Sequence, residues 1–246
     1  QQDVLFSTTP QNPSDLDLIL SLTELPFIKV GSDDLTNLAL LRYYASKGAP
    51  MIISAGMSYE DEIADAVRTV REAGNDDLTV LHCVSVYPTL PEEVNLRKMV
   101  EIRDKFRVKV GFSDHTVGYI AAIAAVALGA EVIEKHFTLS KDLPGPDHWF
   151  ATENDELSEY VAVIRTAERC LGSAVLEPVG REMRSRLEGR RSIVARTSIK
   201  AGKIISESDI EFKRPGNGIS PRFKSAVVGI RAGREYKKGE LIEETI

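Results

Sequence analysis

The chain has 246 residues and a formal charge of −6, with 43% hydrophobic, 28% charged and 7% aromatic residues, a mixture that excludes disordered, collagen-like and coiled-coil classes. Its two cysteines form no C-x-x-C pair, so a disulfide framework is excluded and a reducing, cytoplasmic setting is expected. The longest apolar run, residues 120–130, falls short of the roughly 20 residues that span a bilayer, and the N-terminal Gln1-Gln2-Asp3 reads as neither the basic region nor the apolar core of a signal.

Gln1 stands where a start methionine is expected, which predicts further residues upstream. From there to residue 172, β-rich runs alternate with helical patterns. The runs are residues 4–8, 27–30, 51–54, 79–84, 108–112 and 132–136, spaced at about one βα unit each, so a parallel sheet is expected. Ser58, followed by Glu60, Asp61 and Glu62, reads as the start of a helix whose apolar face is Ile63, Ala66, Val67 and Val70 and whose stop is Gly74. Another helix is expected from about Tyr119 to Leu128, ended by Gly129. Thr152 and Asn154 can cap a third, with Leu157, Tyr160, Val161, Ile164 and Leu171 on its face and Cys170 as a buried apolar residue.

Residues 173–189 are charged and irregular, and read as a linker. Beyond them, Ile199-Lys-Ala-Gly-Lys-Ile-Ile205 is echoed 37 residues later by Tyr236-Lys-Lys-Gly-Glu-Leu-Ile242. Two similar strand–turn–strand elements predict a small β-rich domain with internal pseudo-symmetry, and Ser206 and Asp209 can open a short helix between them.

The fold class is therefore α/β, with a partial barrel in residues 1–172, a linker in 173–189 and a small domain in 190–246. A doubly wound sheet is the alternative, but no GxGxxG follows the first run, and the polar residues at the strand ends favour a (β/α)8 TIM barrel. A complete barrel needs eight units and six are legible, so the barrel reads as truncated. Residues 1–172 hold 15 basic and 27 acidic residues, against 16 and 10 in residues 173–246. The basic segment lacks aromatic interleaving and a recognition-helix pattern, so nucleic acid is not expected as a partner. Docking on an acidic domain or closing over an anion suits it better.

His115 in Ser-Asp-His-Thr and His136 in Glu-Lys-His-Phe follow consecutive β-rich runs, so their imidazoles are expected at the same end of the sheet. Two neutral imidazoles leave positions open on a divalent cation. Two unrelated histidines bonded to backbone groups are an equal alternative on spacing alone. Asp114, Glu134 and Asp147 can supply contacts behind the ligands or acid–base groups, and His82, inside a strand, reads as structural. Lys29, Ser32 and Ser54 at successive strand ends suit an anion, although serine is common in turns. Residues 213–218, Lys-Arg-Pro-Gly-Asn-Gly, form a rigid basic turn.

Together these stretches resemble the sialic acid synthase family, whose members make N-acetylneuraminate and related nonulosonates. The resemblance is carried by Phe-Ser-Thr-Thr-Pro (6–10), Lys-Val-Gly-Ser (29–32), Ile-Ser-Ala-Gly-Met (53–57) and Leu-His-Cys-Val-Ser-Val-Tyr-Pro-Thr (81–89). It continues through Val-Asn-Leu-Arg (94–97), Gly-Phe-Ser-Asp-His-Thr (111–116), Ala-Val-Ala-Leu-Gly-Ala (125–130) and Ile-Glu-Lys-His-Phe-Thr-Leu (133–139). Pro-Gly-Pro-Asp-His (144–148) and Lys-Arg-Pro-Gly-Asn-Gly-Ile-Ser-Pro (213–221) complete it, in order along nearly the whole chain.

The resemblance implies a TIM barrel followed by an antifreeze-like (SAF) domain. It implies condensation of phosphoenolpyruvate with N-acetylmannosamine or a related amino sugar, with phosphate released. It also implies a domain-swapped homodimer and a divalent metal, Mn2+ or Mg2+, held by His115 and His136. Thr9, Lys29, Ser32, Ser54, Ser85 and Ser113 take the place of the phosphoenolpyruvate cradle, with Thr8 as the alternative to Thr9. Tyr87, Glu134 and Asp147 take that of sugar contacts. Glu134 and Asp34 are the implied catalytic groups, and Arg214 resembles an arginine that reaches a partner's site. Asp33-Asp34 departs from the family's usual Gly-Glu or Gly-Asp, and the family's first two βα units are absent, so the isolated chain is expected to be inactive. Another phosphoenolpyruvate-dependent deoxy-sugar-acid synthase and a non-catalytic sugar-binding fragment are the competing readings.

Overall fold

The computed structural model describes residues 4–243. The chain divides into two compact units, with the boundary between Gly172 and Ser173. In the first unit five strands, β1 (Ile28–Val30), β2 (Met51–Ser54), β3 (Leu78–Cys83), β4 (Lys109–Asp114) and β5 (Val132–Lys135), form one parallel sheet in sequential order. Sequential order is that of a barrel wall; a doubly wound sheet reverses order at a switch point. The described residues form an open arc of five strands, with β1 and β5 at its edges, and not a closed barrel. Helices α1 (Pro13–Leu22), α2 (Leu38–Ala45), α3 (Glu60–Glu72), α4 (Arg97–Phe106), α5 (Ile120–Ala127) and α6 (Asn154–Leu171) complete this unit.

Residues 4–8, expected as the first of six strands, form none. Val4, Leu5 and Phe6 are 79%, 77% and 64% exposed, and the Ser7 hydroxyl donates to the Phe27 carbonyl at 3.2 Å in place of a backbone ladder. Strand preference is realised only where a neighbouring strand supplies partners.

Strand register decides which side chains face inward. Ser54, Leu81, Gly111 and Val132 are consecutive partners, and one layer above them Cys83, Ser113 and Glu134 are partners. Each row lies on one face, because successive residues of a strand alternate. Gly111 is required here: a Cβ would strike the Val132 carbonyl and the Leu81 side chain. The opposite face, Ile28, Val30, Met51, Ile53, Leu78, Val80, Val110 and Phe112, packs with Leu41, Tyr44, Val70 and Met99 of the helical layer. Each fully buried large side chain contributes roughly 1.5–3 kcal/mol.

The helix start expected at Ser58 falls one residue later. Tyr59 is the cap, the Glu62 carboxylate accepts its N–H at 2.6 Å, and the Ser58 hydroxyl turns back to the Gly56 carbonyl at 3.1 Å. On α6 the buried stripe narrows to Tyr160 and Ile164, while Val161 and Leu171 are exposed. Cys170 is exposed rather than buried. Six residues after Ile164, it lies about 120° around the helix from that stripe.

In the second unit, α7 (Glu182–Gly189) occupies half of the expected linker. Strands β6 (Ser192–Ala195) and β7 (Ile210–Lys213) pair antiparallel, and α8 (Lys224–Val227) follows. The 37-residue repeat is a pseudo-dyad: Ile199 and Tyr236 exchange backbone hydrogen bonds, each of 2.9 Å. Gly202 N–H donates to Ala232 O, and its image Gly239 N–H donates to Ala195 O, both at 2.7 Å. Ser206 caps a single 3-10 turn, Glu207–Asp209, in place of the expected helix. Ile193, Ile199, Ile205, Ile210, Tyr236 and Ile242 fill this unit's core. Among the described residues no helix is long and apolar enough to cross a membrane.

Candidate functional site

The inward row at the C-terminal ends of the strands opens into a cleft of about 580 Å3. Thr9, Lys29, Ser32, Ser54, Ser85, Tyr87, Ser113, Glu134, His115 and His136 line it, so ten of the thirteen residues singled out from sequence converge there. Thr9 lines it and Thr8 does not.

Lys29 is buried at the centre. Its Nζ donates to Val30 O at 2.8 Å and Ser54 Oγ at 2.9 Å, and lies 3.5 Å from Glu134 Oε2. Ser113 Oγ donates to the other Glu134 oxygen at 2.7 Å. A fixed ammonium, two hydroxyls and a carboxylate thus share one wall, enough to bind an anion and to move a proton beside it.

Gly56 is buried behind the lining residues Ser32 and Ser85. Its N–H donates to Ser32 Oγ at 3.0 Å. A Cβ there would collide with Ser85 Oγ, stand 2.7 Å from Ser32 Oγ and 3.1 Å from Cys83 Sγ. Glycine therefore lets an N–H and two hydroxyls meet at one point. Cys83, buried at the cleft floor, lies 3.9 Å from both Ser85 Oγ and His115 Nδ1.

The two imidazoles stand edge to face, with ring centroids 5.2 Å apart. His115 Nδ1 is 2.8 Å from the Val84 carbonyl, which can only accept, so Nδ1 carries the proton and Nε2 keeps its lone pair. Burial pushes the pKa of His115 down. The His136 pKa is lowered by burial and then by the neighbouring His115. Neutral rings with one orientation fixed from behind fit a divalent cation. Among the described residues no group of three or more His, Cys, Asp or Glu assembles; two imidazoles leave further positions on such an ion open to oxygen ligands.

An aromatic rim borders the histidines. Tyr87 lies 4.3 Å from the His115 ring and 5.0 Å from Phe150, which in turn lies 5.2 Å from His136 and 5.4 Å from Trp149. Burial, with nearby Cys83 and carboxylates, raises the Tyr87 pKa. Phe150 escaped the sequence reading because it follows His136 by 14 residues in a segment without periodicity.

Three expected site residues lie elsewhere. Asp34 does not line the cleft; Asp33 does. Both sit in a 3-10 turn, Ser32–Asp34, where successive side chains point about 120° apart, and Asn37 Nδ2 donates to the Asp34 carboxylate at 3.2 Å. Asp147 is outside the lining, its Oδ2 3.8 Å from His136 Nδ1. Arg214 is exposed in the second unit, donating from Nε to Gly189 O at 3.0 Å. His82 faces outward, donating from Nε2 to Val94 O at 2.6 Å.

The NeuB family model matches residues 1–176, and the SAF domain model matches residues 190–244. An uncharacterized protein of Methanocaldococcus jannaschii is 41% identical over 97% of this chain and 71% of its own length. The N,N'-diacetyllegionaminic acid synthase of Legionella pneumophila is 40% identical over 96% of this chain and 67% of its own length. A crystal structure of N-acetylneuraminic acid (sialic acid) synthetase from Leptospira borgpetersenii, in complex with citrate, superposes with a TM-score of 0.69 at 32% identity, covering 74% of this chain and 64% of that one. The chain thus spans about two thirds of the length of these relatives.

Proposed function

Because the chain belongs to the NeuB family and carries a SAF domain, we propose that its cleft condenses phosphoenolpyruvate with an N-acylated amino sugar, releasing phosphate and forming a nonulosonic acid. Supporting this most is the convergence of Lys29, Ser54, Ser113, Glu134, His115 and His136 on one cleft at the C-terminal ends of parallel strands. That is where barrel enzymes carry their chemistry.

In this reading Lys29, Ser54, Ser32, Ser85 and Ser113 cradle the anionic groups of phosphoenolpyruvate, with Thr9 at the edge and the Gly56 N–H holding the Ser32 hydroxyl from behind. The C3 carbon of phosphoenolpyruvate attacks the sugar aldehyde, water adds at C2, and phosphate leaves from the tetrahedral intermediate. Glu134, held between Ser113 and Lys29, transfers a proton at the water or at the aldehyde oxygen. Tyr87 and Asp147 contact the sugar. His115 and His136 hold a divalent metal, Mn2+ or Mg2+, which when bound supplies Lewis-acid polarisation of the aldehyde. Homodimerisation belongs to the same proposal, with Arg214 of one copy serving the other copy's cleft.

The test is phosphate release from phosphoenolpyruvate by the full-length protein when an N-acetylated hexosamine and Mn2+ are supplied. Chelation, His115→Ala and His136→Ala should each abolish release. Retained release in both variants refutes the metal assignment, and sugar binding without release refutes the condensation.

A further inference from the structure

Alternation along β4 and β5 turns every second side chain from the cleft toward the helical layer, although Lys135 still borders the cleft. Between Ser113 and His115 lies Asp114, and between Glu134 and His136 lies Lys135. These two are register partners and the last residues of their strands. Both imidazoles therefore project one residue beyond the final ladder pair, where backbone pairing no longer fixes their separation.

A buried cluster takes over at that point. Asp114 is 1% exposed and accepts four hydrogen bonds: from Thr116 N–H at 2.9 Å, Thr116 Oγ1 at 2.7 Å, Tyr160 OH at 2.7 Å and Lys135 Nζ at 3.2 Å. Lys135 Nζ also donates to the Thr116 carbonyl and lies 5.3 Å from the centre of the Tyr160 ring. The cluster ties the ends of β4 and β5, the turn after His115, and α6. A buried ion pair is seldom the most stable filling of such a space, since apolar residues of similar volume often do as well or better.

We propose that Asp114, Lys135 and Tyr160 are positioning residues that set the spacing of His115 and His136, and hence affinity for the divalent metal. This rests on the metal reading given above. Metal affinity is sensitive to such support, and loss of a group behind the ligands typically costs 10- to 100-fold.

The experiment measures Mn2+ binding to the purified protein by electron paramagnetic resonance of free Mn2+, beside far-UV circular dichroism and thermal unfolding. Tyr160→Phe removes one hydrogen bond from Asp114 and keeps the ring, and should weaken Mn2+ binding about 10-fold or more with the dichroism unchanged. Asp114→Leu combined with Lys135→Met and Tyr160→Phe replaces the cluster by an apolar filling and should hold the unfolding temperature near that of wild type while Mn2+ binding stays weakened. Affinity within twofold of wild type in both variants overturns the proposal, as does weakening that merely follows loss of the dichroism signal. If the wild-type protein itself binds no Mn2+, the metal reading falls and the clamp with it; binding by wild type and variants alike removes the clamp alone.

Discussion

Lys29→Met is the sharpest perturbation of the cleft, because methionine keeps most of the length and removes only the charge and its donors. The ammonium is 10% exposed and makes two hydrogen bonds besides its 3.5 Å approach to Glu134. At that distance, with an effective dielectric near 20, the attraction is about 5 kcal/mol before desolvation is subtracted. Glu134 is 39% exposed, so water screens much of it and little net stability is at stake. A buried ammonium facing a substrate anion is different: hydrogen bonds to charged groups are worth about 1.5–3 kcal/mol, or roughly 10- to 150-fold in affinity. Lys29→Met should therefore raise KM for phosphoenolpyruvate by that factor while the thermal midpoint moves by only a few degrees. Phosphate-release kinetics at varied phosphoenolpyruvate, beside a thermal melt, reads both. An unchanged KM with an intact fold would refute the anion cradle; a collapsed melt would mean that Lys29 is chiefly structural.

Gly56→Ala places a methyl group among Ser32, Ser85 and Cys83 and should cost about 1–3 kcal/mol by overpacking; denaturant unfolding checks this, and a neutral result would mean the cradle can spread. His82, His115 and His136 all have pKa values depressed, in each case chiefly by burial. The unfolded chain then binds protons more readily, so stability is complete above pH 6.5 and drains as the pH falls below it; urea unfolding of metal-free protein at pH 7.5 and 5.5 should show the decline, and a rise would contradict it. In the second unit, Asp209 accepts from Lys203 at 2.6 Å and from the Ser206 N–H and hydroxyl at 2.9 and 2.6 Å, which lowers its pKa to about 2. Asp209→Asn keeps one acceptor oxygen but loses the charge, and should destabilise that unit by about 1 kcal/mol, read as earlier hydrogen exchange across β6 and β7. Finally, Cys170 should react rapidly with a thiol reagent in native protein and Cys83 slowly, since one is exposed and the other buried.

Period-2 and period-3.6 patterns made most of the first unit legible, because burial of Ile53, Val80, Ile63 or Val70 leaves a direct imprint on residue spacing. Residues 4–8 carried the same imprint and formed no strand, since spacing records preference and not the presence of a neighbour. Cleft residues at strand ends were readable for a related reason: Ser54, Ser113, Glu134 and His136 each end or follow an apolar run, where a barrel's chemistry gathers. Finer choices were not readable. Between Asp33 and Asp34 the rotation of one 3-10 turn decides which faces the cleft, and adjacent identical residues carry no signal of it. Cys170 followed an apolar face on paper, but the helix buries only Tyr160 and Ile164. Phe150 and the Asp114–Lys135–Tyr160 cluster depend on contacts between elements far apart in sequence, which no local pattern encodes.

Oxygen tracing tests the proposed condensation most directly. Phosphoenolpyruvate labelled with 18O in the bridging oxygen is incubated with full-length protein, Mn2+ and a neutral N-acylated amino sugar, and the released phosphate is analysed by 31P NMR. Departure of phosphate from a tetrahedral carbon at C2 breaks the C–O bond, so the label should leave with phosphate, and only when the sugar is present. Label retained in the organic product, or release independent of sugar, would contradict it.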